Sequence, residues 1–263
     1  MGLLQELENK LQRIVGEEIT VEVDLARGGR ISSLKWRERE FALQFREDPM
    51  MWGWFALVPW AGRIDRGLIK DAAGKEYLLP TQWDPPHAEH GYGFVSPWES
   101  TGPESSRLKM PAPYAPAYAD QSIEVSGNSM TWSLNYSANG CTLPAWVGFH
   151  PWLPRKIDNH GIELNFVPDK MLLRGGDGIP TGELVDTPPQ PWDDAFSGVT
   201  KSPIVQWGNI AQLEITSTVP WWVVYTEDPL AICVEPQTAP PDAANLGIHG
   251  AHSLSATFTF STL

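Results

Sequence analysis

The chain has 263 residues, enough to bury a substantial core within one large domain. Asp and Glu outnumber Lys and Arg 32 to 19, a formal net charge of −13, which lacks the basic footprint of a nucleic-acid binder and is repelled by anionic membranes. Only 19% of residues are charged, while 23 Gly, 24 Pro, 13 Trp, 9 Phe and 6 Tyr describe a turn-rich globular protein with aromatic surface to bury, not a disordered chain.

Leu4, Leu7, Leu11 and Ile14 recur at helical spacing with Gly16 just beyond them, which predicts a short N-terminal helix. The same segment has neither a basic n-region nor an unbroken apolar stretch, so no signal peptide is expected. No run of 18 apolar residues occurs anywhere, and a soluble, cytoplasmic protein is the expectation. The period then changes to two. Ile19, Val21, Val23 and Leu25 alternate with polar residues as in a half-buried strand, Gly28-Gly29 makes a turn, and Arg30 to Trp36 reads as a second strand. Pro111 to Tyr118 is Pro-rich, but alternating strands resume on both sides and it reads as a surface loop. Met130, Trp132, Leu134 and Tyr136 form another alternating set, closed by the turn signal Asn139-Gly140. Ile162 to Phe166 and Leu213 to Ile215 repeat the pattern, and residues 171–203, rich in Gly and Pro, read as a long irregular excursion. Trp221 to Tyr225 and Ala231 to Val234 are denser apolar runs suited to central strands, and the chain closes on Leu254, Ala256, Phe258 and Phe260. With almost no helical signal, these elements predict an all-β fold, an antiparallel β-sandwich with little helix, formed by residues 1–263 as a single domain.

Cys141 and Cys233 are too few for a disulfide framework and read as small buried hydrophobes. No phosphate loop, dinucleotide fingerprint or serine-hydrolase elbow is present. His87 and His90 lie three apart beside Glu89, a spacing too common in loops to make a metal site. His90 lies in Glu89-His90-Gly91-Tyr92-Gly93-Phe94, where the glycines let the backbone turn and leave room for a ligand. His150 stands alone among aromatics in Trp146-Val147-Gly148-Phe149-His150-Pro151-Trp152, so it has a dedicated partner or serves a ligand. Glu235 follows Ala231-Ile232-Cys233-Val234 and precedes Pro236, where the strand is expected to stop or bulge and leave the carboxylate at the mouth of the sheet. For each of these three the residues alone leave a structural role open.

The segment Glu235-Pro236-Gln237-Thr238-Ala239-Pro240-Pro241-Asp242-Ala243-Ala244-Asn245 resembles the glutamate signature of the aldose 1-epimerases, or galactose mutarotases. The resemblance recurs in order at Gly28-Gly29-Arg30-Ile31, Pro59 to Gly67 with Arg63-Ile64, His90-Gly91 with Trp98, Phe149-His150-Pro151, Pro180-Thr181-Gly182-Glu183 and Asp193-Asp194-Ala195-Phe196. It implies a galactose mutarotase-like supersandwich that binds free sugars in a groove across one sheet and interconverts α and β anomers of a hexose. By motif match Glu235 takes the general base's place and His150 the general acid's, while His90, Arg63 and Asp193 match positions that hold the sugar. It implies no cofactor and no metal, and its partner is a small-molecule sugar; the oligomeric state is not legible. Two positions depart from the family pattern: Gly62 stands where Asn often precedes the arginine, and Phe94 where an arginine often follows His-Gly. A phosphorylated-hexose mutarotase, drawing on Arg63, Arg66, Arg155 and Arg174, and a non-catalytic sugar-binding module remain as alternatives. With reference pKa values near 4.3 and 6.5, an ionised Glu beside a protonated His is the expected resting pair, the carboxylate raising the imidazole further. Trp52, Trp54, Trp60, Trp98, Trp146 and Trp152 lie in or near the matched segments, and one or two of them are expected to touch the sugar.

Overall fold

Alternating apolar side chains need a second apolar layer, and the computed structural model, which describes residues 10–263, meets that need with two antiparallel sheets. The larger has eleven strands, ten of them in the order Leu11–Val15, Ile19–Asp24, Arg30–Trp36, Trp54–Leu57, Gly148–Pro154, Ala231–Gln237, Trp221–Tyr225, Asp193–Ser197, Lys170–Arg174 and Pro180–Val185. The smaller has nine and is centred on Ser129–Ser137 and Ser253–Ser261. Aromatics from the two inner faces interdigitate: Trp132 stacks on Phe149 at 3.9 Å, Trp36 on Phe260 at 5.4 Å, and Trp54 packs on Phe258 at 4.8 Å. Among the described residues the only helical elements are the single turns Leu25–Arg27 and Asp65–Gly67, and no helix is long and apolar enough to cross a membrane. The all-β antiparallel sandwich expected from the sequence is the observed fold.

Three local expectations change. Leu4 and Leu7 of the expected N-terminal helix lie outside the described residues, whereas Leu11 and Ile14 belong to a strand paired with Ile19–Asp24. Pairing with a neighbouring edge here outweighs a weak helical spacing. Residues 171–203 are not an irregular excursion: Lys170–Arg174, Pro180–Val185 and Asp193–Ser197 complete the large sheet, and most of the Gly and Pro residues occupy the turns between them. Nor does Pro236 end its strand, which runs on to Gln237 with Pro236 opposite Trp222.

The reason Pro236 is tolerated positions the site. Gly148–Pro154 and Ala231–Gln237 pair at Gly148↔Gln237 and again from Trp152↔Cys233, with no ladder pairs between. Pro151 and Pro236, neither of which has an N–H to donate, both fall in that gap. The register on either side sets His150 opposite Glu235 there, so the two prolines remove main-chain bonds where these two candidate side chains meet.

Candidate functional site

Successive side chains of a strand point to opposite faces. On Gly148–Pro154, Phe149 therefore enters the core while His150 and Trp152 face outward, and on Ala231–Gln237 the outward set includes Glu235 and Gln237. The rung continues across the sheet through Glu235↔Val223, Val223↔Ala195 and Ala195↔Leu172. These residues floor a pocket of about 250 Å³ on the face turned away from the smaller sheet, just below the usual range for ligand sites. His90, Arg63 and Asp193 line the same pocket, so all five residues singled out from the sequence converge although they are widely separated along the chain.

His150 Nε2 lies 3.3 Å from Glu235 Oε1, and the residues are 6% and 2% exposed. The Phe55 ring stacks on His150 at 4.5 Å and lies 5.2 Å from the Arg30 guanidinium. Arg30 itself is wholly buried and donates to the carbonyls of Arg27, Pro49, Trp52 and Phe94, which explains the arginine in the Gly-Gly-Arg motif. Burial pushes the His150 imidazole down to about 3, with the Arg30 charge adding to the effect. Burial likewise pushes the Glu235 carboxyl well above the usual range, against the opposing hydrogen bond from Gln237. The proximity expected from the sequence is present, but the resting charges are not. Desolvation outweighs the attraction between the partners, and the pair rests uncharged, a protonated carboxyl beside a neutral imidazole.

Around this pair the polar groups are largely committed. His90 Nδ1 accepts the Gly62 N–H at 3.2 Å, which leaves the ring proton on Nε2, 3.6 Å from Glu89 Oε1. Burial, followed by the nearby His150 and Arg63, keeps His90 neutral. Glu89 is pushed up to about 7 by burial despite Arg63. Arg63 contacts Asp84 at 2.5 Å, Asp193 at 3.5 Å and Glu89 at 3.7 Å. Arg174 reaches Asp193 at 2.7 Å and Asp194 at 2.9 Å. The glutamate signature's later residues build this wall too: the Asp242 N–H donates to the Arg63 carbonyl, and its carboxylate accepts from Asp65 N–H and Asn245.

Several sequence expectations are refined. The glycine after His90 makes room for the chain and not for a ligand: Gly91 sits at φ +71°, where a Cβ would stand 2.2 Å from the Val58 carbonyl oxygen. Gly62 has φ +71° and an added Cβ would lie 2.6 Å from Pro241, so Pro241 packs where an asparagine would project. Phe94 is buried against Phe55 and Trp83. Of the six tryptophans, only Trp152 lines the pocket, joined by Trp83, which the sequence did not single out. Also missed were Glu89 as a pocket carboxyl and Gln237; reading the strand through Pro236 puts Gln237 two residues beyond Glu235 and so on the same face. His87 and His90 each spend Nδ1 on a backbone N–H, from Arg66 and Gly62, and Cys141 and Cys233 are free. His150, Cys233 and Glu235 offer ligand atoms within 4.8 Å of one another, and burial pushes the Cys233 thiol well above its usual range.

Solved structures share this architecture. A proposed aldose 1-epimerase from Escherichia coli superposes with a TM-score of 0.82 at 18% identity, covering 96% of this chain and 99% of that one. A galactose mutarotase-like protein from Clostridium acetobutylicum gives 0.77 at 16%, covering 95% of each chain. A GalM/aldose epimerase homologue from C. elegans gives 0.74 at 17%, covering 96% and 99%. No curated protein matches the sequence. The family model for aldose 1-epimerase matches residues 16–255, nearly the whole chain and every motif that carried the resemblance, and the chain belongs to the aldose 1-epimerase family.

Proposed function

We propose that the pocket interconverts the α and β anomers of a free hexose, with Glu235 and His150 as its acid–base pair. The observation that carries this reading is the buried contact of 3.3 Å between His150 Nε2 and Glu235 Oε1 on the floor of a pocket sized for a small ligand. Hydroxyls of an entering sugar replace missing solvent around the pair and allow its proton to cross from Glu235 to His150. The Glu235 carboxylate then takes the proton of the anomeric hydroxyl while the His150 imidazolium protonates the ring oxygen, and the bond from the anomeric carbon to the ring oxygen breaks. This step returns the pair to the uncharged state that burial favours, so the open-chain aldehyde is held beside neutral groups. Rotation about the bond between the first two carbons presents the other carbonyl face. Ring closure then reverses both proton transfers. His90, Arg63 and Asp193 line the same pocket, which supports a role for them in holding the remaining hydroxyls.

The charges favour a free sugar over a phosphorylated one. Asp48, Asp84, Asp193 and Asp194 line the pocket, with Glu89 pushed up to about 7 beside them, against Arg63 and Arg174, and both guanidiniums are paired with carboxylates. Of the other two arginines weighed for a phosphate, Arg155 donates to the carbonyls of Thr226 and Asp228, and Arg66 has an 80% exposed side chain beyond the pocket. A phosphate would have to break existing pairs to find a cation. Two-dimensional NMR exchange or polarimetry across glucose, galactose and glucose 6-phosphate tests the reading. Anomerisation above the spontaneous rate is expected for a free hexose and weaker acceleration for the phosphate ester. Binding without acceleration of any sugar would leave a sugar-binding module instead.

A further inference from the structure

We propose that Gln237 recognises the hydroxyl on the carbon next to the anomeric centre, making the pocket specific for aldoses that carry a 2-hydroxyl. The inference rests on the mutarotase reading and deepens it by naming a substrate feature.

Gln237 is fully buried, yet it lines the pocket. Its Nε2 donates to Glu235 Oε2 at 2.9 Å, while its Oε1 has no hydrogen-bond partner among the described residues. Such a buried orphan is uncommon in a finished core, because an unpaired polar atom costs free energy that a partner would offset. Rotating the amide by half a turn exchanges donor and acceptor but still leaves one polar atom over. The side chain is also held in place. Gly148 lies opposite it in register, and even a Cβ there would come within 2.9 Å of Gln237 Cγ.

The order of groups names the ligand atom. His150 addresses one oxygen of the Glu235 carboxyl at 3.3 Å, and Gln237 addresses the other at 2.9 Å, so the three side chains form a row with Glu235 at its centre. Along the edge of a cyclic aldose the oxygens follow in the order ring oxygen, anomeric hydroxyl, 2-hydroxyl. With the ring oxygen at His150 and the anomeric hydroxyl at Glu235, the next position in the row is Gln237. A hydroxyl both donates and accepts, so it completes the amide in either orientation. Gln237 is thereby also a positioning residue: the bond that reads the 2-hydroxyl tightens the amide that orients the carboxyl.

The test compares glucose and galactose with their 2-deoxy counterparts, by NMR exchange with the spontaneous rate subtracted, for the unaltered protein and for Gln237→Leu. For the unaltered protein kcat/KM is expected to fall at least about 10-fold on removal of the 2-hydroxyl, the effect of leaving one buried polar atom unpaired. For Gln237→Leu the two kinds of sugar are expected to converge to within about 3-fold, because the hydroxyl has lost its reader, with kcat lowered on both. A purely structural role would lower both sugars equally and preserve the ratio, which would overturn the inference. Equal handling of 2-hydroxy and 2-deoxy sugars by the unaltered protein would overturn it without any variant, so a Gln237→Leu chain that fails to fold does not protect it. Turnover of sugars with no such discrimination leaves the mutarotase reading standing. Absence of turnover on every sugar removes both.

Discussion

Glu235→Gln separates chemistry from architecture at this site. The carboxyl is 2% exposed, accepts from Gln237 at 2.9 Å and faces His150 at 3.3 Å. Glutamine has the same shape and can still bond to both neighbours, so sugar affinity is expected to change by no more than about 3-fold, well under the effect of one lost hydrogen bond to a charged group. What disappears is the exchangeable proton. A positioned acid or base is worth about 10²–10⁴ in kcat, or about 2.7–5.4 kcal/mol of barrier at about 1.36 kcal/mol per factor of ten. Stability moves the other way. An unfolded Glu titrates at about 4.3, and burial raises the folded value well above that. The carboxyl's favourable contribution is therefore complete below about pH 4.3 and is lost as pH rises towards the folded value, at about 1.36 kcal/mol per unit. Glutamine cannot ionise, so the variant is expected to melt at least as high as the parent at pH 8, with a smaller difference at pH 5. Polarimetric anomerisation and thermal unfolding at the two pH values check both parts. Near-parental anomerisation, or a variant several degrees less stable at pH 8, would refute the reasoning.

Three further outcomes follow from the same geometry. With His150 pushed down to about 3 and Glu235 pushed up by burial, the singly protonated pair spans a wide range, so in a Glu89→Gln background, which removes the pocket carboxyl pushed up to about 7, kcat/KM is expected to stay flat on the acid side through pH 5; a limb near 6.5 there, the value of an ordinary histidine, would contradict an uncharged resting pair. Gly62→Asn installs the residue common in the family but forces a side chain into φ +71° against Pro241, so it is expected to cost about 1–3 kcal/mol of stability with no gain in activity, read as a lowered Tm; a variant of unchanged Tm and higher kcat/KM would show that the family's asparagine fits here. Asp242→Ala removes the acceptor that ties Asp65 and Asn245 beside Arg63 and is expected to raise KM several-fold with kcat less affected, because the Arg63 wall loosens while the acid–base pair keeps its own supports; steady-state kinetics showing the loss in kcat alone would place the effect elsewhere.

Much of the fold was legible because a period of two is a local property. Arg30–Trp36 and Trp221–Tyr225 form strands with the bounds that alternation and apolar density suggested. The N-terminal segment misled because four apolar residues fit helical spacing while the decisive partner, Ile19–Asp24, contributes through pairing. Residues 171–203 misled because Gly and Pro in short turns masked three strands whose stability comes from neighbours distant in sequence. Tryptophan count said nothing of position: Trp54, Trp60 and Trp146 are core, and of the six near the matched segments only Trp152 reaches the pocket.

By itself, the sequence determined the all-β class, the order of the family's segments and the identity of Glu235, His150, His90, Arg63 and Asp193 as the residues to watch, since those are carried by composition, period and motif. Only the tertiary structure decided how they are arranged. Two prolines without N–H groups open the ladder between neighbouring strands, the register sets His150 against Glu235 in that opening, and burial sets their charges. Protonation depends on solvent exclusion by residues far away in the chain, and no local pattern records it.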